Sequence, residues 1–473
     1  MTTLRIQAVV VGMGPAGMAA AIELGRAGVR TALIDQAPLP GGQVYRHPPK
    51  EFRIPHAIAP SRHRTGDLLR QELAQSAASL TILNDAVVWG AFAPGALSVH
   101  QAGRILEVAY EKLVICEGAQ ERIIPCPGWT LPGVLSLGGL QKMITSQGIA
   151  PGGRVLLAGS GPLLVGTAAV VARAGADLAG VYEAVPFTRF MSLGIGVMAW
   201  PQLLPESFSY MSELVSKRVK FRFAWGLRSL SGDDRVREAT LVALDNAGAP
   251  IPGSERNVPV DVVGIGFGLQ PHVRLARLVG CRTEYDFSRR YFAPVTDNWC
   301  RSSQPGVYVA GDGAGVGGAD WSEAQGRIAG LHAAWSLNRR DCDQLSGFSS
   351  EWVRLRRRLQ FYVSALHRVF TPKDGHYSAI TPDTVVCRCE GVRAAELMAR
   401  MNMGEQDLTA LKPTRLAMGP CQGRGCEGIA TELLRVQGTP PENLKALHLR
   451  PPIVPMPLSA FAQPTEPVPG TPT

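Results

Sequence analysis

Charge is scarce in this chain of 473 residues: Asp, Glu, Lys and Arg make up 18%, below the ~25% usual for globular domains. Lysine is scarcer still. Eight of the 48 Lys and Arg residues are lysines, so 48 − 8 = 40 are arginines. The net charge of +9 is thus an arginine surplus. No basic patch with interleaved aromatics accompanies it, which argues against nucleic acid as a partner. Nine cysteines are too few for a disulfide scaffold, and the number is odd. No uninterrupted apolar run reaches the ~18 residues of a membrane-spanning helix. The opening MTTLRIQAVVVGMGPAGM has no charged segment followed by an apolar core and a cleavage site. The expectation is a cytoplasmic protein, where clustered cysteines read as metal ligands or redox groups. With 45% hydrophobic residues and about 150 residues per domain, roughly three domains can bury cores of their own.

The fold class is legible from repetition. Residues 5–11 are an apolar run followed at once by glycines, then a helical stretch and a second strand at 31–34. The same strand–glycine–helix–strand order starts again at Arg154. This predicts an α/β protein with two Rossmann-like dinucleotide-binding folds. Two further apolar runs, 258–263 and 306–310, are expected to rejoin the first fold. Trp352, Leu355, Leu359, Val363, Leu366 and Val369 follow helical spacing. Residues 339–373 hold eight Lys/Arg against three Asp/Glu. That helix reads as a solvated face, or as a docking surface for an acidic partner or a membrane surface. From Gly438 the sequence is proline-rich (TPPENL, RPPIVPMP, PTEPVPGTPT), which excludes regular helix and leaves an extended strap or a disordered end.

The first glycine motif is Gly12-x-Gly14-x-x-Gly17, extended by Ala21, Gly28 and Asp35. Gly12 permits the tight turn, Gly14 lets a pyrophosphate approach the backbone, and Gly17 lets helix and strand pack closely. The helix N-terminus offers free N–H groups to the phosphates. Asp35 follows Gly12 by 35 − 12 = 23 residues, where a carboxylate accepts from a ribose. Gly41-Gly42-Gln43 supplies a loop that can wrap the ligand. The second motif is Gly159-x-Gly161-x-x-Leu164, with Glu183 lying 183 − 159 = 24 residues on. An acid there favours NAD over NADP. The open alternatives are another adenine nucleotide or a retained fold without ligand. Gly264-x-Gly266-x-Gly268 reads as a backbone turn. Cys116, Cys126, Cys281, Cys300 and Cys342 are scattered and read as small buried hydrophobes. No Cys-x-x-Cys lies near the second fold, which disfavours dithiol reduction.

Cys387-x-Cys389 and Cys421-x4-Cys426 sit in one short segment with glycines at 419, 423, 425 and 428. Four thiolates hold an iron–sulfur cluster or a zinc ion. Cys-x-Cys is uncomfortable for zinc knuckles, so [2Fe–2S] is favoured over zinc or free thiols. Arg388 and Arg424 would place positive charge beside an anionic cluster.

Several of these segments together resemble known families. Gly306-Val-Tyr-Val-Ala-Gly311-Asp312, with the first motif, resembles the FAD signatures of glutathione/thioredoxin-reductase-like flavoproteins; the resemblance implies that Asp312 binds the ribityl hydroxyls. Leu113-Val-Ile-Cys-Glu-Gly118 resembles their Ala-Thr-Gly turn, with Cys116 and Glu117 in place of Ala and Thr. The cysteine segment resembles the bacterioferritin-associated-ferredoxin-like [2Fe–2S] domain, a small and mostly helical unit. Residues 127–133 (PGWTLPG), 385–390 (VVCRCE), 418–424 (MGPCQGR) and 450–452 (RPP) resemble the FAD-binding subunit of hydrogen cyanide synthase, of opine oxidase and of multimeric proline and D-hydroxyproline dehydrogenases.

The resemblance implies an FAD-binding domain over 1–125 and 256–340, an NAD-type domain over 126–255, a helical linker over 341–380, a [2Fe–2S] domain over 381–440 and a tail over 441–473. It implies FAD at Gly12, Gly14, Gly17, Asp35, Gly42, Gln43, Gly118, Gly311 and Asp312, a cluster on Cys387, Cys389, Cys421 and Cys426, and NAD(H) or another adenine nucleotide at Gly159, Gly161 and Glu183. It further implies an electron-transfer subunit of a heteromeric amino- or imino-acid dehydrogenase of opine, proline/hydroxyproline or glycine type. The implied partners are a smaller amino-acid-oxidase-like flavoprotein and a small ferredoxin-like subunit, with a peripheral position at the inner face of the membrane left open. No catalytic acid–base residue is assigned. The competing readings are a self-contained NADH-dependent reductase, and a nucleotide-binding assembly subunit whose cluster is structural.

Overall fold

The computed structural model describes residues 2–46, 63–338 and 350–462. Two parallel sheets carry the two glycine motifs. In the first, Leu80–Leu83, Thr31–Ile34, Thr2–Val11 and Arg104–Ile115 run side by side and parallel. Val307–Val309 pairs parallel with the end of Arg104–Ile115, and Ala96–Gln101 and Ala86–Gly90 extend its beginning as an antiparallel meander. The register sets Val11 opposite both Ile34 and Ile115, and Val309 opposite Ile115. The carboxyl ends of four strands therefore finish level, at the edge where open α/β sheets bind ligands.

Close helix packing holds this sheet's cover. Pro15–Arg26 lies against Ala319–Leu337. A Cβ at Gly326 would lie 2.1 Å from the Ala16 carbonyl oxygen, and one at Gly330 would lie 2.5 Å from that of Ala20, so backbones meet where side chains are missing. Arg327, buried beside this contact, bonds to Glu23 (2.9 Å), Glu72 (2.8 Å) and Glu323 (3.2 Å) and lies 5.0 Å from the Trp352 ring. A buried guanidinium is retained only when it is paired in this way.

The second sheet runs Phe221–Phe223, Asp177–Glu183, Arg154–Gly159, Val262–Gly266 and Val134–Ser136, all parallel. The apolar run at 258–263 thus corrects the expectation: its strand, Val262–Gly266, joins the second fold rather than the first, and the boundary expected at 255/256 falls beyond Gly266. Gly264 and Gly266 explain the pairing. Cβ atoms there would lie 2.6 Å from Leu157 and 2.8 Å from Leu137, so the glycines let a core close over the strand. Only Gly268, at φ +82°, makes a turn. The 306–310 run does rejoin the first sheet.

Ala119–Glu121 and Leu269–Pro271 cross antiparallel between the two folds. A third, antiparallel sheet of Trp225–Ser231, Glu238–Ala243 and Arg256–Pro259 flanks the second fold. The helix Ser350–Phe370 buries Leu359, Val363 and Val369 and leaves Arg354, Arg357, Arg358 and Arg368 exposed around Phe361, which is 73% exposed. The segment after it is not a spacer: residues 371–376 pack into the second fold.

The C-terminal module comprises Val385–Cys387, Val392–Arg393, Ala394–Asn402 and Glu427–Val436 around Leu397, Leu408, Leu411, Leu416, Leu433 and Leu434. Beyond it the proline-rich stretch is a strap. Ile453 donates its N–H to the Trp89 carbonyl (2.9 Å) and is buried against the first sheet, and Phe461 meets Trp89 edge-on. Among the described residues no helix is long and apolar enough to cross a membrane. Residues 339–349, with Cys342, lie outside the described residues, as do 463–473 of the tail.

Candidate functional site

The first glycine turn is held by the carboxylate the sequence pointed to. Asp35 Oδ2 accepts the Met13 N–H at 2.5 Å and Oδ1 accepts the Ala37 N–H at 2.8 Å. Gly12 takes φ +102°; a Cβ there would lie 2.3 Å from the Cys116 carbonyl oxygen, and a Cβ at Gly17 would lie 1.7 Å from that of Gly12. Both glycines are therefore demanded by protein packing. Gly14 differs. It sits at φ −73°, and its Cβ would make only an ordinary contact, with the Gly42 Cα at 3.9 Å, at the N-terminus of a twelve-residue helix. A helix start of this kind can cradle a phosphate.

The loop 41–46 closes on this turn through Gly41 N–H to the Met13 carbonyl (2.8 Å). Gln43 is bonded to Arg46, and Asp35 lies near the Arg46 guanidinium. Across the sheet edge, Asp312 Oδ1 accepts from the N–H groups of Gly317 and Gly318 (both 2.9 Å) and from Ser322 (3.3 Å). Its other oxygen accepts nothing among the described residues. Burial pushes this carboxyl upward against those donors. Gly311 donates its N–H to Gln325 Oε1 (2.7 Å), a partner with no sequence signal. Gly12, Gly14, Gly17, Asp35, Gly42, Gly118, Gly311 and Asp312 thus lie at one sheet edge, while Gln43 is exposed beside Arg46.

Glu117, standing where the resembling turn has Thr, has a defined job. Its carboxylate accepts the Leu275 N–H (3.0 Å) and pairs with His272 Nδ1 (3.0 Å), while the His272 N–H goes to the Gly118 carbonyl (2.9 Å). One residue away, Arg274 Nη1 donates to the carbonyl of Cys421 (3.2 Å). The four residues 272–275 therefore touch both the Gly118 turn and the cysteine loop. Gln120 adds a second tie, to the Arg424 carbonyl (2.8 Å).

The cysteines converge as two thiol pairs, Cys387 with Cys426 and Cys389 with Cys421. Backbone N–H groups of Ala417, Glu390 and Cys389 point at the Cys387 sulfur. Cys387 and Cys426 are buried, Cys421 is half-buried and Cys389 is exposed, so one pair faces inward and the other faces solvent. Among the described residues no three His, Cys, Asp or Glu side chains close around one point as a single metal ion requires. The distant 127–133 motif reaches this loop: Trp129 Nε1 donates to the Val385 carbonyl (2.7 Å), and the Arg388 guanidinium stacks 5.1 Å from the Trp129 ring. Cys116, Cys126, Cys281 and Cys300 are buried free thiols, and burial raises all four.

The second glycine turn is different from the first despite the same offsets. Gly161 sits at φ +109°, and the Phe370 ring lies 3.9 Å from where its Cβ would be. Val185, Val369 and Phe370 form a buried cluster, with Phe370 8% exposed. Gly375 N–H bonds to the Ala247 carbonyl (3.1 Å), and His376 packs on Gly248. Glu183 is 0% exposed, with its oxygens accepting from Gly161 N–H (3.1 Å) and Val185 N–H (3.0 Å). Gly12, Gly14 and Asp35 are partly open, while Gly159, Gly161 and Glu183 are buried. Phe370 and the segment after it line what space remains beside the second turn, which is buried where the first is partly open.

Burial pushes the Glu183 carboxyl up to about 7, against the N–H donors that favour its charge. The fold therefore holds this proton more tightly than the unfolded chain, and stability falls as pH rises from about 4.5 to about 7. Denaturant unfolding at pH 5 and pH 8 should show this loss in the wild type, with the difference from Glu183→Gln changing between the two; a constant difference contradicts it.

The family model described as pyridine nucleotide-disulphide oxidoreductase matches residues 6–336. Hydrogen cyanide synthase subunit HcnB of Pseudomonas aeruginosa is 35% identical over 464 residues, 97% of this chain and 98% of that protein. An opine oxidase subunit of Agrobacterium tumefaciens is 31% identical over 471 residues, 96% of this chain and 90% of that one. The crystal structure of L-proline dehydrogenase from P. horikoshii is alike in fold, with TM-score 0.69 at 17% identity over 98% of this chain and 80% of that one.

Proposed function

The chain belongs to the pyridine nucleotide-disulphide oxidoreductase family, among relatives that include hydrogen cyanide synthase subunit HcnB and an opine oxidase subunit, and from that membership we propose that it is the FAD- and [2Fe–2S]-carrying electron-transfer subunit of a heteromeric amino- or imino-acid dehydrogenase. When bound, FAD exchanges electrons in pairs or singly, and a [2Fe–2S] cluster carries one at a time.

The observation that carries the reading is the segment 272–275. It bonds to the flavin-side turn through His272 and Leu275 and to the cysteine loop through Arg274. The residues fit both groups. Gly14 leaves room for a pyrophosphate, Asp35 and the free oxygen of Asp312 offer acceptors to ribose and ribityl hydroxyls, and two thiol pairs with backbone donors suit a cluster spread over two irons better than a single zinc. Cys389 opens to solvent, which gives a one-electron acceptor a point of approach. The relatives are named as subunits, and a smaller substrate-oxidising flavoprotein is the partner this reading calls for.

The closed second turn weighs against a self-contained NADH reductase. NADH mixed anaerobically with the FAD-loaded chain should leave the flavin absorbance unchanged over minutes, whereas dithionite bleaches it. Bleaching by NADH at catalytic rates would move the assignment to the reductase. The assembly-subunit reading predicts undiminished acceptor turnover of the complex after cluster loss.

A further inference from the structure

We propose that Arg274 supplies the buried positive charge that faces the four-cysteine group and holds the reduction potential of its cluster up. The inference rests on the cluster reading above and adds a residue that neither the cysteine spacing nor the neighbouring sequence indicates.

Arg274 is 5% exposed, and its guanidinium has one partner, the Cys421 carbonyl. Nε and Nη2 are buried and bond to nothing among the described residues. Nearby carboxylates are already engaged. Glu117 takes the Leu275 N–H and His272, and Glu427 Oε1 takes Arg277 (2.8 Å) and the Leu447 N–H (2.8 Å). A second guanidinium, Arg424, also lines this region with its Nε buried and unpartnered. Glu117 and Glu427 act on Arg274 from nearby but neither bonds to it; a buried guanidinium without a bonded anion is strongly unfavourable, and two together are worse. Compare Arg327, which is equally buried but surrounded by three glutamates.

The missing counter-charge sits next door. Four thiolates around two irons and two sulfides form an anionic group that accepts hydrogen bonds at sulfur. Such a group becomes more negative by one charge on reduction, so a fixed cation in low dielectric favours the reduced state and raises the potential. Arg388, the other cation in the loop, is stacked on Trp129, and Arg424 is only half-buried. Arg274 comes from the segment that also holds the flavin-side turn, so its position is fixed from both ends.

The test is a potentiometric titration of the cluster signal by electron paramagnetic resonance in the full FAD-loaded chain, with iron and acid-labile sulfide measured on each sample. Arg274→Met keeps length and removes the charge; Arg274→Lys keeps the charge. We expect a midpoint displaced to lower potential in Arg274→Met and one near wild type in Arg274→Lys, both with full iron. Loss of iron in Arg274→Met but not in Arg274→Lys supports the same requirement for charge. Equal midpoints in all three proteins, or loss of iron in both variants, overturns the proposal. Wild-type chain without iron and sulfide removes the cluster reading itself, and the proposal with it.

Discussion

Replacing Cys389 by serine is expected to strip the cluster while leaving the flavin in place. The four cysteines lie in two pairs, and the solvent-facing pair, Cys389 with Cys421, has few protein contacts to compensate for a lost ligand. Changing groups that merely orient a metal ligand costs about 10- to 100-fold in metal affinity or activity, so losing a ligand should cost more than about 100-fold in turnover with an external one-electron acceptor. The first-sheet motifs share no residue with the module, whose core is built on leucines of its own. Flavin content and flavin reduction by the substrate-oxidising subunit should therefore persist. Acceptor turnover and iron content measured on the same preparation check this. Full turnover in an iron-free variant would make the cluster structural.

The second large effect is expected at Gly14. A valine there fits the backbone, because φ −73° with ψ −175° is open to any residue. Its Cβ would lie 3.9 Å from the Gly42 Cα, an ordinary contact. Its side chain instead enters the space left for the pyrophosphate. Overpacking typically costs about 1–3 kcal/mol, which corresponds to about 5- to 150-fold weaker FAD binding. Purified Gly14→Val should thus be colourless or nearly so and retain wild-type circular dichroism. The same substitution at Gly17 would drive a side chain into the Gly12 carbonyl, at 1.7 Å for Cβ alone, and should prevent folding. Full flavin occupancy in Gly14→Val would sink the assignment of this turn.

The first fold was legible because its signals are local. Gly12, Gly14, Gly17 and Asp35 lie within one β-α-β unit, and Gly311-Asp312 ends a strand whose register with Arg104–Ile115 brings it to the same edge. The four cysteines were legible for a similar reason, being confined to one module. What the sequence did not disclose depends on contacts between distant segments. Gly264 and Gly266 looked like turn residues, because nothing local tells a glycine that bends a chain from one that lets Leu137 and Leu157 pack over a strand. The second glycine motif kept its offsets while Phe370, 370 − 161 = 209 residues away, moved over its turn. Arg274 is one arginine among forty, marked out only by the carboxylate bonds it does not make. Trp129 belonged to a segment recognised by resemblance, and its contact with Val385 and Arg388 supplies the physical reason for that segment.

The account stands most directly on the metal and sulfide content of the chain purified anaerobically with its flavin. Two irons and two acid-labile sulfides for each FAD are predicted from a [2Fe–2S] cluster on the four cysteines. Stoichiometric zinc without sulfide, or flavin without any metal, would contradict it.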